Sequence, residues 1–184
     1  MKHLLRYIAG TLNVGCRYAS TTDGAQLVGY SDADMAGDPD DRKSTYGTLF
    51  FFGVCPVSWQ SQKQKVVSLS SCQSEYMAAA TTACQGVWLG RLLGDLLGSS
   101  PLVANLYVDN QSAIQLCKNP VFHDRSKHIE VRYHFIRGCI EDGTATVNFI
   151  GTGDQLADIL TKALGRIQFQ SLRERIGVVN LYSN

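Results

Sequence analysis

The sequence lacks the features that mark a secreted or membrane protein. None of its 184 residues belongs to an apolar run approaching the roughly 20 residues of a transmembrane helix. The apolar run after Met1 is too short for a signal peptide. We therefore expect a soluble intracellular protein, in the cytoplasm or alternatively in the nucleus, that does not associate with a membrane.

The cysteines lack the spacing of a metal or disulfide framework. There are six, and no two of them form a Cys-x-x-Cys pair: Cys16, Cys55, Cys72, Cys84, Cys117 and Cys139. Structural zinc ligands usually come in such close pairs. We interpret these cysteines as free, reduced and mostly buried thiols.

An excess of charge of one sign is also missing, because the formal net charge is +1. Any nucleic-acid partner must therefore be inferred from local patches. The chain has no internal repeat, low-complexity run or linker. Its length and its hydrophobic content of 45% suffice for one domain with a real core.

The pattern of apolar residues predicts five strands. Residues 25–33, 44–52 and 54–62 are rich in β-forming residues and are joined by short turns, which is typical of an antiparallel meander. The apolar run at 102–108 is typical of a central strand covered on both faces, and 144–150 is the fifth strand.

Helices are predicted between and around these strands. A long helix should begin at Ser70, where Ser70 and Gln73 match a capping box, and end before Gly98. Its buried side should be lined by Met77, Ala80, Ala83, Val87, Leu93 and Leu97. The other predicted helices are 1–18, 111–118, 125–142, 154–163 with Asp154 as its N-cap, and 166–176. The order of elements indicates one α/β domain with a five-stranded mixed sheet.

Four carboxylates occupy informative positions. Asp32 lies near the end of the first strand, where a buried strand would carry an apolar residue, and Asp109 ends the fourth strand. If these strands are adjacent, both acids lie at one edge of the sheet. Glu75 is predicted in the first turn of the long helix, where the helix dipole helps to keep it ionised. Asp158 could approach from the predicted helix 154–163.

Converging carboxylates would repel one another and hold their protons more tightly, and divalent cations remove that conflict. Oxygen ligands of this kind favour Mg²⁺. Two such ions about 4 Å apart can activate water and stabilise the leaving oxygen of an in-line displacement. The four acids therefore predict phosphodiester hydrolysis.

Each acid also has a purely structural explanation. Asp109 could cap the following helix, and Asp158 could be an exposed helix residue. Glu75 could be a surface acid that the helix dipole favours. Asp34 is an alternative to Asp32, because strand alternation allows both to face the same side.

Four short segments surround the acids, in the order Gly-Tyr-Ser-Asp-Ala-Asp, Ser-Ser-Cys-Gln-Ser-Glu-Tyr-Met-Ala, Tyr-Val-Asp-Asn-Gln-Ser-Ala and Leu-Ala-Asp-Ile-Leu-Thr-Lys. Together they resemble the ribonuclease H domain of copia-type (Pseudoviridae) retrotransposon Pol polyproteins. Residues 126–137 resemble a further stretch of that domain. The resemblance covers essentially the whole chain, with 1–18 similar to the helical connection after the reverse transcriptase and 19–184 to the ribonuclease H domain.

The resemblance implies a ribonuclease H-like three-layer α/β/α fold. It implies an endonuclease that uses two Mg²⁺ ions, with Mn²⁺ as a substitute, to hydrolyse the RNA strand of RNA–DNA hybrids during reverse transcription. Asp32, Glu75, Asp109 and Asp158 match the catalytic, metal-binding acids of the family. The reverse transcriptase of the same polyprotein is then a partner and a virus-like particle the location of an intact element. We expect the isolated domain to be a monomer.

Two departures from the family pattern stand out. Met35 replaces a tryptophan of many relatives, and the short loop before Asp158 lacks the histidine that many ribonucleases H carry there. His128 and His134 are either substitutes for that histidine or a surface and a packing residue.

Contacts to nucleic acid are predicted around the acids. Ser74, Asn110 and Gln111 are placed to donate to a ribose or a phosphate, and a donor to the 2′-hydroxyl is what distinguishes RNA from DNA. A local basic run could bind phosphates or could simply be solvated; its candidates are Arg125, Lys127 and Arg132.

Three rival functions have some basis in the sequence. Residues 107–110 imitate the Tyr-x-Asp-Asp of a polymerase, but the second acid is Asn and no palm or fingers segment accompanies it. Integrases and transposases, as their family resemblance implies, carry Glu last, whereas Glu75 comes second here. The remaining alternative is a host-adopted, non-catalytic nucleic-acid or protein interaction module derived from a retroelement. The intact acids argue against simple decay.

Overall fold

The structure is a computed structural model that describes residues 1–20, 24–118 and 130–182, with the backbone alone at 130–134. The helices are α1 (Lys2–Gly10), α2 (Ser71–Leu97), α3 (Gln111–Lys118), α4 (Glu130–Glu141) and α5 (Arg166–Arg175). The strands are β1 (Val14–Cys16), β2 (Leu27–Ala33), β3 (Thr45–Phe52), β4 (Cys55–Lys63), β5 (Ala104–Val108), β6 (Ala145–Phe149) and β7 (Val178–Asn180). Two 3₁₀ helices, Thr152–Asp154 and Leu156–Leu160, precede α5.

The main sheet has the strand order β4-β3-β2-β5-β6. The pairs β2–β3 and β3–β4 are antiparallel, and the pairs β2–β5 and β5–β6 are parallel. This confirms the predicted five-stranded mixed sheet. It also confirms that the strand of Asp32 lies beside the strand that precedes Asp109, with Ser31 opposite Val108.

The sheet is covered on both faces. On one face, Phe50 and Leu106 pack in a core with Tyr76 of α2, and α3 and α4 lie beside α2. On the other face, Leu49 and Leu172 belong to a smaller core that α5 and the second 3₁₀ helix close. The alternating side chains of β3 therefore serve two different layers.

Helix α2 approaches the sheet closely because glycines face it. A Cβ atom at Gly86 would lie 2.8 Å from the Cβ of Ala104, and one at Gly90 would lie 2.2 Å from the carbonyl oxygen of Leu102. The predicted buried side of this helix was partly wrong, since Leu97 is 56% exposed. Small residues, rather than large apolar ones, form much of the contact with the sheet.

The N-cap prediction for α2 is confirmed. The backbone N–H of Gln73 donates to Ser70 Oγ over 3.2 Å, and Gln73 Oε1 accepts from the N–H of Leu69 over 2.7 Å. Two backbone donors at the start of the helix are thereby satisfied.

One predicted helix is too long and another is wrong. The helix predicted over 1–18 ends at Gly10, and Val14–Cys16 pair with Val178–Asn180 in a small antiparallel sheet. The helix predicted over 154–163 is instead the pair of 3₁₀ helices, and Gln155, not Asp154, caps the second of them. Both errors depend on contacts distant in sequence. The domain boundary after residue 18 stays a prediction.

All six thiols are free, as predicted, but only Cys55, Cys117 and Cys139 are buried, and Cys84 is exposed. In the described ranges, no helix combines the length and apolar character needed to cross a bilayer.

Candidate metal centre

Three of the four predicted acids meet where β2 and β5 lie side by side. Asp32 is in β2, Asp109 directly follows β5, and Glu75 reaches the same place from α2. One carboxylate oxygen of each residue lies within 4.8 Å of the others. Asp32 and Glu75 are buried and Asp109 is half-buried. Acids this close and this poorly hydrated form a site that could hold a metal ion.

Glu75 differs most from its prediction. It lies in the second turn of α2, beyond the first-turn positions that the helix dipole favours. Its Oε1 accepts a hydrogen bond from the N–H of Ala33 over 3.1 Å, and its Oε2 is buried with no hydrogen-bonding partner among the described residues. Burial, and then the charge of Asp32, raises the pKa of Glu75 to about 9. The raised pKa agrees with the prediction that converging carboxylates hold their protons more tightly, and it is opposite to the effect expected from the helix dipole.

Asp158 lies beside this group in the second 3₁₀ helix. It is buried, and its Oδ1 is 2.7 Å from Nζ of Lys162. The same Nζ lies 3.1 Å from Oδ1 of Asp32, so Lys162 joins the two aspartates. Burial raises the pKa of Asp158 although the hydrogen bond from Lys162 opposes that shift. Burial and the charge of Asp32 likewise raise the pKa of Asp109.

Lys162 retains its charge in this setting. Burial lowers its pKa, but the hydrogen bond to Asp158 and the charge of Asp32 outweigh that effect, and the pKa is raised overall. The aspartates and the ammonium group therefore form a charged network at the sheet edge.

Sequence reasoning missed three residues that hold the acids in place. Besides Lys162, these are Thr161, whose Oγ1 donates to Asp32 Oδ2, and the fully buried Gln155. Thr161 and Lys162 lie in the segment Leu-Ala-Asp-Ile-Leu-Thr-Lys, so their spacing from Asp158 was a usable signal. Gln155 gave no such signal, because its hydrogen-bond partner, Ser31 in β2, is distant in sequence.

The alternative acid Asp34 has a structural role instead. Its Oδ1 accepts a hydrogen bond from the N–H of Thr45 over 2.5 Å. A Cβ atom at Gly37 would lie 2.2 Å from its Oδ2, so the turn packs tightly against this carboxylate. Asp34 therefore closes the connection between β2 and β3.

The predicted contacts to nucleic acid divide into three groups. Ser74 is fully buried and its Oγ donates to the carbonyl of Ser71 over 2.9 Å, so this prediction is wrong. Asn110 Oδ1 accepts from the N–H of Ala113 over 3.0 Å, so Asn110, rather than Asp109, caps α3. Gln111 is exposed beside it. The remaining candidates lie outside the described residues or side chains, as do two histidines: Arg125, Lys127, Arg132, His128 and His134.

Comparison by sequence finds similar retrotransposon proteins. The chain is 44% identical over 184 residues to the retrovirus-related Pol polyprotein from transposon RE2 of Arabidopsis thaliana, and 45% identical over 184 residues to that from transposon RE1. Each alignment covers 98% of this chain and 12% of the relative. The polyprotein from transposon TNT 1-94 of Nicotiana tabacum is 44% identical over 178 residues, or 97% of this chain and 13% of the relative. The chain thus spans only a small part of these relatives. No protein-family model matches it.

Comparison by structure finds a shared fold at low identity. LC11-RNase H1, isolated from compost by a metagenomic approach, has a TM-score of 0.55 at 15% identity, covering 75% of this chain and 94% of its own. The prototype foamy virus protease–reverse transcriptase has a TM-score of 0.51 at 13% identity, covering 89% of this chain and 22% of its own. At such identities the similarity concerns the fold alone.

Proposed function

We propose a nuclease activity for this chain, which is homologous to part of the Pol polyproteins of copia-type retrotransposons and has a ribonuclease H fold. The proposed reaction is hydrolysis of the RNA strand of an RNA–DNA hybrid. One observation carries the proposal: Asp32, Glu75 and Asp109 bring three poorly hydrated carboxylates within 4.8 Å.

Two Mg²⁺ ions suit this donor set, because it offers carboxylate oxygens, which hard cations prefer. The buried Oε2 of Glu75 is an acceptor that still lacks a partner among the described residues. Asp32, Glu75 and Asp109 would hold one ion, and Asp32 with Asp158 would hold the second. Once bound, the ions supply an activated water and stabilise the leaving oxygen.

The side chains of the protein position the acids and control their protons. Thr161 holds Oδ2 of Asp32, and the N–H of Ala33 holds Oε1 of Glu75, so both carboxylates have fixed orientations. Glu75 must lose its proton before it can bind a cation, since the ligand is the ionised carboxylate. Asn110 and Gln111, next to Asp109, are the described candidates for donors to the ribose 2′-hydroxyl.

The test is cleavage of a labelled RNA–DNA hybrid by the 184-residue chain in Mg²⁺ and then in Mn²⁺. We expect the hybrid to be cut and an RNA–RNA duplex to stay intact. Asp109→Asn should lower the rate at least about 100-fold, because metal stabilisation of the transition state is worth several kcal/mol. Asp154→Asn is the matched control, since Asp154 is exposed and pairs with Arg175.

The opposite result is equally informative. A folded chain that binds the hybrid but cuts it in neither metal would overturn the enzymatic proposal. It would favour the host-adopted, non-catalytic interaction module instead.

A further inference from the structure

Lys162 occupies a specific place between two buried carboxylates. Its Nζ lies 2.7 Å from Oδ1 of Asp158 and 3.1 Å from Oδ1 of Asp32, while these aspartates are 2% and 0% exposed. The lysine side chain itself is 35% exposed. The ammonium group therefore reaches a buried pair of acids from the solvent side.

The acids divide into two cation-binding sets that share Asp32. One set contains Asp32, Glu75 and Asp109, and among the described residues Lys162 contacts only Asp32 of these three. The other set is Asp32 with Asp158, and there one oxygen of each aspartate already binds the ammonium group of Lys162. A divalent ion bound by those two oxygens would lie within a few Å of this ammonium group. Because two positive charges that close repel each other strongly, the ammonium group and the divalent ion cannot both stay.

Lys162 and Thr161 both bind Asp32, but only Lys162 can readily leave it. Lys162 has a flexible side chain with access to solvent, so its ammonium group can swing out without leaving a buried charge unpaired. Thr161 is neutral and binds the other oxygen, Oδ2. It can remain in place when a cation arrives.

We propose that Lys162 is a resident cation: it holds Asp32 and Asp158 together in the metal-free protein and is displaced when the second divalent ion binds. This inference rests on the proposed two-metal function. Lys162 then acts as a positioning residue that sets the metal concentration at which the site fills. In the metal-free protein it keeps the carboxylates from moving apart by mutual repulsion. It also lowers the affinity for the second ion, because it competes with that ion for Asp32 and Asp158.

The test compares Lys162→Met, which keeps the length of the side chain but removes its charge, with Lys162→Arg, which keeps the charge. Lys43→Met is the matched control, because Lys43 is about as exposed as Lys162, pairs with Asp41 in the connection between β2 and β3, and carries the same charge. Two quantities are measured without nucleic acid. One is Mn²⁺ binding by titration calorimetry. The other is the midpoint of thermal unfolding in chelator and in saturating Mg²⁺.

Lys162→Met should unfold at a lower temperature than the wild type in chelator. Saturating Mg²⁺ should raise its unfolding midpoint by more than it raises that of the wild type. Of the two Mn²⁺ ions, the one that binds more weakly should bind at least about tenfold more tightly to Lys162→Met than to the wild type, since a nearby positive charge is gone. Lys162→Arg and Lys43→Met should keep the wild-type affinity. A Lys162→Met protein that folds only when Mg²⁺ is added also supports the exchange.

Unchanged or weaker Mn²⁺ binding by a folded Lys162→Met protein would overturn the proposal, as would a failure to fold in saturating Mg²⁺. These outcomes can be separated from failure of the nuclease proposal. If the wild type does not cut the hybrid but Lys162→Met still gains metal affinity, the exchange stands and the nuclease activity falls. If the wild type cuts and the affinities are equal, the exchange alone falls.

Discussion

Gln155 Nε2 donates a hydrogen bond to the carbonyl oxygen of Ser31 over 3.0 Å, and both residues are fully buried. The bond joins the segment of Asp158 to the strand of Asp32. The side-chain oxygen of Gln155 also accepts from the N–H of Ala157 over 3.2 Å and so starts the 3₁₀ helix that carries Asp158. One amide therefore sets the position of one acid relative to the other.

Replacement of Gln155 by Ala should lower the free energy of unfolding by about 1–3 kcal/mol, because the buried carbonyl of Ser31 would lose its partner. Gln168→Ala, at an exposed position of α5, is the control and should change stability little. Chemical denaturation of both variants measures the difference. If both variants changed the free energy of unfolding equally, the hydrogen bond from Gln155 to Ser31 would not contribute to stability.

The raised pKa of Glu75 predicts an unusual pH dependence for the metal-free protein. The folded state holds this proton up to about pH 9, whereas the ordinary value is 4.5. Between these limits the unfolded chain binds fewer protons than the folded protein, so the free energy of unfolding should fall as pH rises and level off above pH 9. The raised pKa values of Asp109 and Asp158 act in the same direction.

Thermal unfolding in chelator between pH 5 and pH 9 checks this dependence. Glu75→Gln, which cannot ionise, should flatten the curve, and saturating Mg²⁺ should reduce the fall, since a cation stabilises the ionised carboxylates. Midpoints that rise from pH 5 to pH 9 in chelator would contradict the prediction.

Two glycine substitutions in helices should change the free energy of unfolding in opposite directions. Gly90→Ala should lower the free energy of unfolding by about 1–3 kcal/mol, because its Cβ would lie 2.2 Å from the carbonyl oxygen of Leu102. Gly138→Ala in α4 meets nothing within 4 Å and should raise stability by about 0.5–1 kcal/mol through helix propensity. Denaturant titration of both variants measures the two changes. A neutral Gly90→Ala would mean that α2 can move away from the sheet.

Periodicity and turn residues were sufficient to predict the five strands and the capped start of α2. These features depend on neighbours within a few residues, as the bond from the N–H of Gln73 to Ser70 illustrates. Prediction failed where a segment depends on a distant partner. Val14–Cys16 form a strand only because Val178–Asn180 pair with them. The 3₁₀ helix of Asp158 is anchored to β2 by the side chain of Gln155.

The sequence by itself determined the mixed sheet and the identity of the acids that meet at its edge, because strand patterns and the positions of charged residues within them are local properties. Only the tertiary structure decided the electrostatics. Glu75 holds its proton because the packing of α2 buries it near Asp32, and Lys162 bridges Asp32 and Asp158 because the chain after β6 returns to β2. Burial and the distances between charges set proton and metal affinities, and both arise from packing between segments that are far apart in the chain.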